Sequence, residues 1–176
     1  GKTTFIKELI RRTQKNIVVM ENEFGGVSLD RDAVSASGTE VLEFMEGCVC
    51  CTMKDSFVNS VLTVSATLDP AYLVIEPTGT AELGALLRAL RRVCYGGIEL
   101  VAPLVIVSPA GFVGGSISGI YADQLQNAAT VVLSKTEHCA PDEIDALRRA
   151  IAAINPTAGI VTEPYTKMPD AWWNGL

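Results

Sequence analysis

Short apolar runs alternate with amphipathic stretches along this chain, and few folds satisfy that alternation. The runs at 16–20, 41–44, 71–76, 100–107, 131–133 and 159–162 read as strands. They are apolar almost throughout, as strands buried on both faces are. Residues 3–14, 53–66, 83–93, 118–128 and 141–154 read as helices. Leu83, Leu86, Leu87, Leu90 and Val93 make one helical stripe, with Arg88, Arg91 and Arg92 outside it. Pro141 opens the last helix with Asp142 and Glu143 in its first turn, and Pro156 ends it. Strands taken in turn with helices predict an α/β fold with a mainly parallel central sheet flanked by helices.

The chain has 176 residues, which fits a single domain with a proper core. Aromatics make up only 6%, so Ala, Val, Leu and Ile must build that core. A net charge of −6 argues against a nucleic-acid partner. No stretch reaches the ~20 continuous apolar residues of a membrane span, and no signal peptide is expected. The five cysteines are an odd number, and three of them crowd into Cys48-Val49-Cys50-Cys51. That crowding suits metal-binding thiols in a reducing cytoplasm better than disulfides.

Gly1-Lys2-Thr3-Thr4 stands directly before an amphipathic helix and matches the end of the phosphate-binding pattern G-x-x-x-x-G-K-S/T. Gly1 lets backbone approach a phosphate. Lys2 would neutralise the β- and γ-phosphates, the Thr3 hydroxyl would ligate Mg²⁺, and the following helix N-terminus favours the anion. The plain alternative is a chance G-K-T-T in a loop. A phosphate loop normally follows a buried strand, so a hydrophobic strand and a Gly-rich turn are expected before Gly1. The segment 168–176 likewise stops without an obvious closing element.

The run at 71–76 ends on Glu76 and continues as Pro77-Thr78-Gly79. A carboxylate there can reach Mg²⁺ through water, and Gly79 can present its N–H to a γ-phosphate and move when that phosphate leaves. A solvated strand end is the alternative for Glu76. Ser134-Lys135-Thr136-Glu137 follows another apolar run, where a guanine-reading N-K-x-D loop would stand, and an ordinary surface turn is its alternative. In such a loop the Lys stem packs along the base and the carboxylate accepts from the base's donors. The Cys48, Cys50 and Cys51 thiolates are soft ligands suited to Zn²⁺ or Cu(I). Three thiolates leave one tetrahedral position open, which suits an ion that must be released; three buried structural cysteines are the alternative. Cys94 and Cys139 lack ligand-spaced neighbours. His138 reads as a surface residue. Trp172 and Trp173 fit either the edge of the core or the anchor of a further element.

Taken in order, these motifs resemble the CobW-type (CobW/HypB/UreG-like) family of P-loop GTPases, which are metal-chaperone and metal-insertion proteins. The matching pieces are Gly1-Lys2-Thr3-Thr4, Glu21-Asn22-Glu23-Phe24-Gly25 with Asp30, Gly47-Cys48-Val49-Cys50-Cys51, Glu76-Pro77-Thr78-Gly79, and Gln124 ahead of Ser134-Lys135-Thr136-Glu137. Asn155-Pro156 fits the same pattern. The resemblance implies a three-layer P-loop NTPase fold that binds and hydrolyses GTP, with GDP, Mg²⁺ and a transition metal as ligands. It implies Lys2, Glu23, Glu76 and Gly79 as catalytic residues. Gly1, Lys2, Thr3, Thr4, Ser134, Lys135 and Glu137 would hold the nucleotide. Thr3, Asp30 and Glu76 would serve Mg²⁺, and the cysteines Zn²⁺. GTP binding would order the switches and set the thiolate geometry, and hydrolysis would release the metal. A client metalloprotein is the implied partner, and a homodimer is compatible.

The chain also departs from the family. Ser134 replaces Asn, which removes a contact that braces the loop, and Glu137 replaces Asp, which adds a methylene. Both changes should weaken guanine discrimination. Ser108 stands where relatives often have Asp. A C-terminal domain, sometimes His-rich, is often present in relatives and is not seen here. Nickel or cobalt insertion is the alternative enzyme reading. A non-catalytic metal-binding module on a degenerate GTPase fold is the alternative of another class.

Overall fold

A computed structural model describes residues 1–13, 15–21, 40–43, 55–112 and 119–176. These residues divide into two compact units, Ile6–Leu100 and a second made of Gly1–Phe5 with Val101–Leu176.

In the Ile6–Leu100 unit, three strands pair in parallel: β1 (Ile17–Glu21) lies between β2 (Glu40–Glu43) and β3 (Tyr72–Glu76). All of β1 from Ile17 to Met20 is buried, and its alternation sends the two sets of side chains to opposite faces. Val18 and Met20 pack with Phe57, Val58, Val61 and Val64 of α2 (Asp55–Leu68) and with Leu86, Ala89 and Leu90 of α3 (Leu83–Leu90). Ile17 and Val19 pack with Ile6 and Ile10 of α1 (Lys2–Thr13). Helices therefore cover both faces of this sheet, as its uniformly apolar strands require. Each fully buried Val or Ile contributes roughly 1.5–3 kcal/mol. The leucine stripe at 83–93 behaves as expected, but the α-helix tightens into a 3₁₀ turn over Arg91–Val93, which still buries Val93.

In the other unit, β5 (Thr130–Leu133) lies between β4 (Leu104–Val107) and β6 (Gly159–Val161), again all parallel. Val107, Val131 and Leu133 pack with Leu125 of α4 (Gly119–Asn127) and with Leu147 and Ile151 of α5 (Pro141–Ile154). The apolar run at 100–107 becomes a strand only from Leu104 onward. Pro103 lacks an N–H and restricts the residue before it, so the ladder starts after the proline, and Leu100 and Val101 remain exposed.

The segment after β6 closes on the start of α1. A 3₁₀ turn at Tyr165–Lys167 and a short helix, α6 (Asp170–Trp173), bring three aromatic rings to Phe5. Ring centroids lie 5.5 Å from Phe5 for Tyr165, 6.1 Å for Trp172 and 5.0 Å for Trp173. Trp173 is 1% exposed, so this pair belongs to the core edge. Among the described residues, no helix is long and apolar enough to cross a membrane.

Candidate nucleotide and metal site

α1 winds directly from the glycine of the phosphate pattern. The Gly1 carbonyl accepts from the Phe5 N–H at 3.0 Å, which places Lys2 and Thr3 in the first helical turn, both half-buried, with Thr4 exposed. The positive end of the helix dipole favours an anion there. Farther along α1, Glu8 accepts from Arg11 Nε at 3.0 Å and from Arg12 Nε at 2.7 Å. The Arg11 guanidinium, with Arg12 beside it, holds the Glu8 carboxyl down at about 2 against an opposing effect of burial.

The loop after β5 meets the same glycine. The Ser134 N–H donates to the Val107 carbonyl at 2.8 Å, carrying the ladder one residue past the strand. Ser134 is buried, and a methyl built on Gly1 would lie 3.9 Å from its Oγ. Lys135 follows in the left-handed region at φ 58°, an uncommon place for a residue with a Cβ. The turn closes through the Cys139 N–H, which donates to the Thr136 carbonyl at 3.1 Å. Lys135, Glu137 and His138 are exposed. The structure thus brings the glycine of G-K-T-T and the first residue of the base-loop pattern together.

Two further residues of this unit were left without a role by sequence reasoning. The Tyr165 hydroxyl donates to the Gly1 carbonyl at 3.4 Å. Its phenol is raised from the usual value, first by burial and further by the charge of Glu137, while a hydrogen bond with Ser134 opposes the rise. Asn155, the last residue before the turn after α5, is buried. Its Nδ2 donates to the carbonyls of Leu125 at 2.8 Å and Ala128 at 2.9 Å, and its Oδ1 accepts from the Thr157 hydroxyl at 2.8 Å. One amide thereby ties the end of α5 to the end of α4 and sets where β5 begins. The signal for Tyr165 was topological: β5 and β6 are paired, so the loops that follow them are neighbours.

Glu76 ends β3 in the other unit and is 4% exposed, so the solvated strand end is excluded. Across the ladder Glu21 stands opposite both Glu43 and Glu76. After Pro77, the Ala81 N–H donates to the Thr78 carbonyl at 3.0 Å and closes a turn with Gly79 exposed at its tip. Gly79 lies outside the left-handed region, and a methyl built on it would meet nothing within 4 Å. Glu23, Asp30, Cys48, Cys50 and Cys51 lie outside the described residues. Among the described residues, no group of three or more His, Cys, Asp or Glu side chains is arranged to hold a metal. Cys94 is exposed and Cys139 half-buried, both as free thiols, and Arg88, Arg91, Arg92 and His138 are exposed as expected.

Comparison with known proteins agrees with this layout. Residues 1–162 match the family model "CobW/HypB/UreG, nucleotide-binding domain". The zinc chaperone YeiR of Escherichia coli is 31% identical over 154 residues, covering 85% of this chain and 47% of that protein. The zinc chaperone YjiA of the same organism is 25% identical over 177 residues, covering 92% of this chain and 53% of that protein. The chain spans about half the length of these curated relatives. A crystal structure of the Zn(II)-bound YjiA GTPase from E. coli superposes with a TM-score of 0.71 at 22% identity, over 99% of this chain and 58% of that one. That likeness shows the fold, and the family match takes in Gly1–Thr4, Glu76–Gly79 and Ser134–Glu137. The chain belongs to the CobW/HypB/UreG nucleotide-binding domain family, the CobW-type P-loop GTPases.

Proposed function

We propose that this chain binds and hydrolyses GTP and uses the cycle to hold a transition metal, zinc in the first instance, and hand it to a client metalloprotein in the cytoplasm. The observation that supports the nucleotide half is the closeness of Ser134 to Gly1, which is what a base-reading loop beside a phosphate loop would require. Lys2 holds the β- and γ-phosphates. Lys135 lays its stem along the base, and Glu137 accepts from the base's ring and amino donors. The Thr3 hydroxyl and the Glu76 carboxylate are hard oxygen donors of the kind Mg²⁺ takes, and a carboxylate as buried as Glu76 is stabilised by a nearby cation. Bound Mg²⁺ supplies charge neutralisation at the phosphates. Glu23 and Asp30 position water or the ion, and Gly79 offers its N–H to the γ-phosphate. No general base is needed, because phosphoryl transfer of this kind runs on positioning and charge.

The metal half rests on Cys48, Cys50 and Cys51, a soft three-thiolate set with an open fourth position. Zinc is favoured because relatives matched over most of this chain are zinc chaperones. The test is zinc affinity by competition with a chromophoric chelator, first with a non-hydrolysable GTP analogue and then with GDP. A large difference between the two states is expected, and Cys50→Ser with Cys51→Ser should abolish tight binding in both. Equal affinities in the two nucleotide states would sink the coupling. Full affinity in the double variant would place the metal elsewhere.

A further inference from the structure

We infer that Tyr165 is the positioning residue that braces the base loop against the phosphate loop, doing through its hydroxyl what Ser134 is too short to do. The inference rests on the nucleotide reading above and adds a residue to that site. An asparagine at 134 would carry an amide long enough to reach the backbone of the phosphate loop. Serine reaches one bond less far, and its Oγ would lie 3.9 Å from a methyl built on Gly1. A contact to Gly1 comes from the other side. Tyr165 leaves the turn that follows β6, and its hydroxyl donates to the Gly1 carbonyl. Its ring stands edge-on to Phe5, with 5.5 Å between centroids and 82° between planes, so the hydroxyl is aimed by packing. The phenol, raised by burial, stays protonated and able to donate across the physiological range.

The Gly1 bond is long at 3.4 Å. Hydrogen bonds at such sites tighten when the ligand arrives. Nucleotide binding would therefore draw Tyr165, Gly1 and Ser134 together, and the brace would bear mainly on how Lys135 and Glu137 meet the base. A residue that only filled space would affect all nucleotides alike, whereas a brace on the base loop affects the choice between bases.

The experiment measures GDP and ADP affinities by calorimetry for the wild type, Tyr165→Phe, and Tyr165→Phe combined with Ser134→Asn. Loss of one neutral hydrogen bond, about 1 kcal/mol, predicts GDP binding about fivefold weaker in Tyr165→Phe, with ADP affected less. The ring and its contact with Phe5 remain, so the fold should persist. Ser134→Asn, entering the space the hydroxyl left, should restore most of the GDP affinity and the GDP-to-ADP ratio. The inference is overturned if Tyr165→Phe binds GDP as the wild type does, if GDP and ADP weaken equally, or if Ser134→Asn restores nothing. A wild type that binds no nucleotide would overturn both this inference and the reading beneath it. Should Tyr165→Phe fail to fold, Ser134→Asn alone probes the same junction: a GDP-to-ADP ratio left unchanged supports a brace that Tyr165 already supplies, and a large rise in the ratio ends it.

Discussion

Two loops at strand ends make opposite choices of residue. After β5, Lys135 occupies the left-handed region, where glycine would sit with less strain. After β3, Gly79 occupies ordinary backbone with open space around it, where most residues would fit. Local conformational preference would place the glycine at 135 and a side chain at 79. A residue held against its preference costs on the order of 1–2 kcal/mol, and a glycine where none is required gives up chain entropy of about 0.5–1 kcal/mol. Both departures make sense if a ligand sets the terms: a lysine stem needed along a base, and a bare backbone N–H needed at a phosphate. The loops also differ in support. Ser134 is pinned by the ladder, while Gly79 is exposed at the tip of its turn. The first suits a site that recognises and the second a site that moves.

Removing the one cation of the G-K-T-T pattern should have the largest effect. Lys2→Ala is expected to abolish nucleotide binding in calorimetry with the thermal midpoint of the ligand-free protein unchanged; retained affinity would remove the phosphate reading altogether. Gly79→Ala sharpens the contrast. With no neighbour to meet, the methyl should leave stability within ~0.5 kcal/mol, or raise it slightly through the unfolded chain. GTP turnover should nonetheless fall by about tenfold or more while GDP affinity holds, as expected for a lost contact to the γ-phosphate. Equal turnover in the variant would mean that the glycine answers to nothing in the reaction. Lys135→Gly is the mirror experiment. Relief of the left-handed strain and the added chain entropy nearly cancel, so the melting temperature should move by no more than about 2–4 °C, while preference for guanine over adenine nucleotides declines. A large fall in stability with preference intact would make Lys135 structural.

The smallest effect lies on α1, away from both loops. Glu8 is held at about 2 in the folded chain, below its ordinary 4.5. A lowered carboxyl stabilises the fold above its unfolded value and loses that contribution as pH falls toward the folded one. Thermal melts from pH 5.5 to 2.5 should therefore show wild-type stability dropping toward that of Glu8→Gln; parallel curves would show that the Arg11 and Arg12 contacts carry no weight.

The apolar runs made the strands and their parallel pairing legible, because strands buried on both faces leave a continuous hydrophobic signature. The limits of that signature appear at 100–103, where apolarity alone suggested strand and Pro103 denied it a ladder hydrogen bond. Ser134 and Glu76 were legible from their positions after such runs. Tyr165 and Asn155 were not, since their partners lie 164 and about 30 residues away and are backbone carbonyls, which carry no side-chain identity to read. Trp173 was ambiguous for a related reason: an aromatic pair near a chain end has no periodicity to betray its face.

The cluster on Phe5 has an optical consequence. Trp172 and Trp173 are the chain's two tryptophans, and their rings stand 5.1 Å apart at 86°. Chromophores so close and so nearly perpendicular couple their transitions and give a circular-dichroism couplet that disappears when either ring turns. Because they rest on Phe5, in the helical turn that begins at Gly1, the couplet and the indole emission report on that turn without any label. The chain carries its own spectroscopic gauge for the arrival and departure of whatever settles at the start of α1.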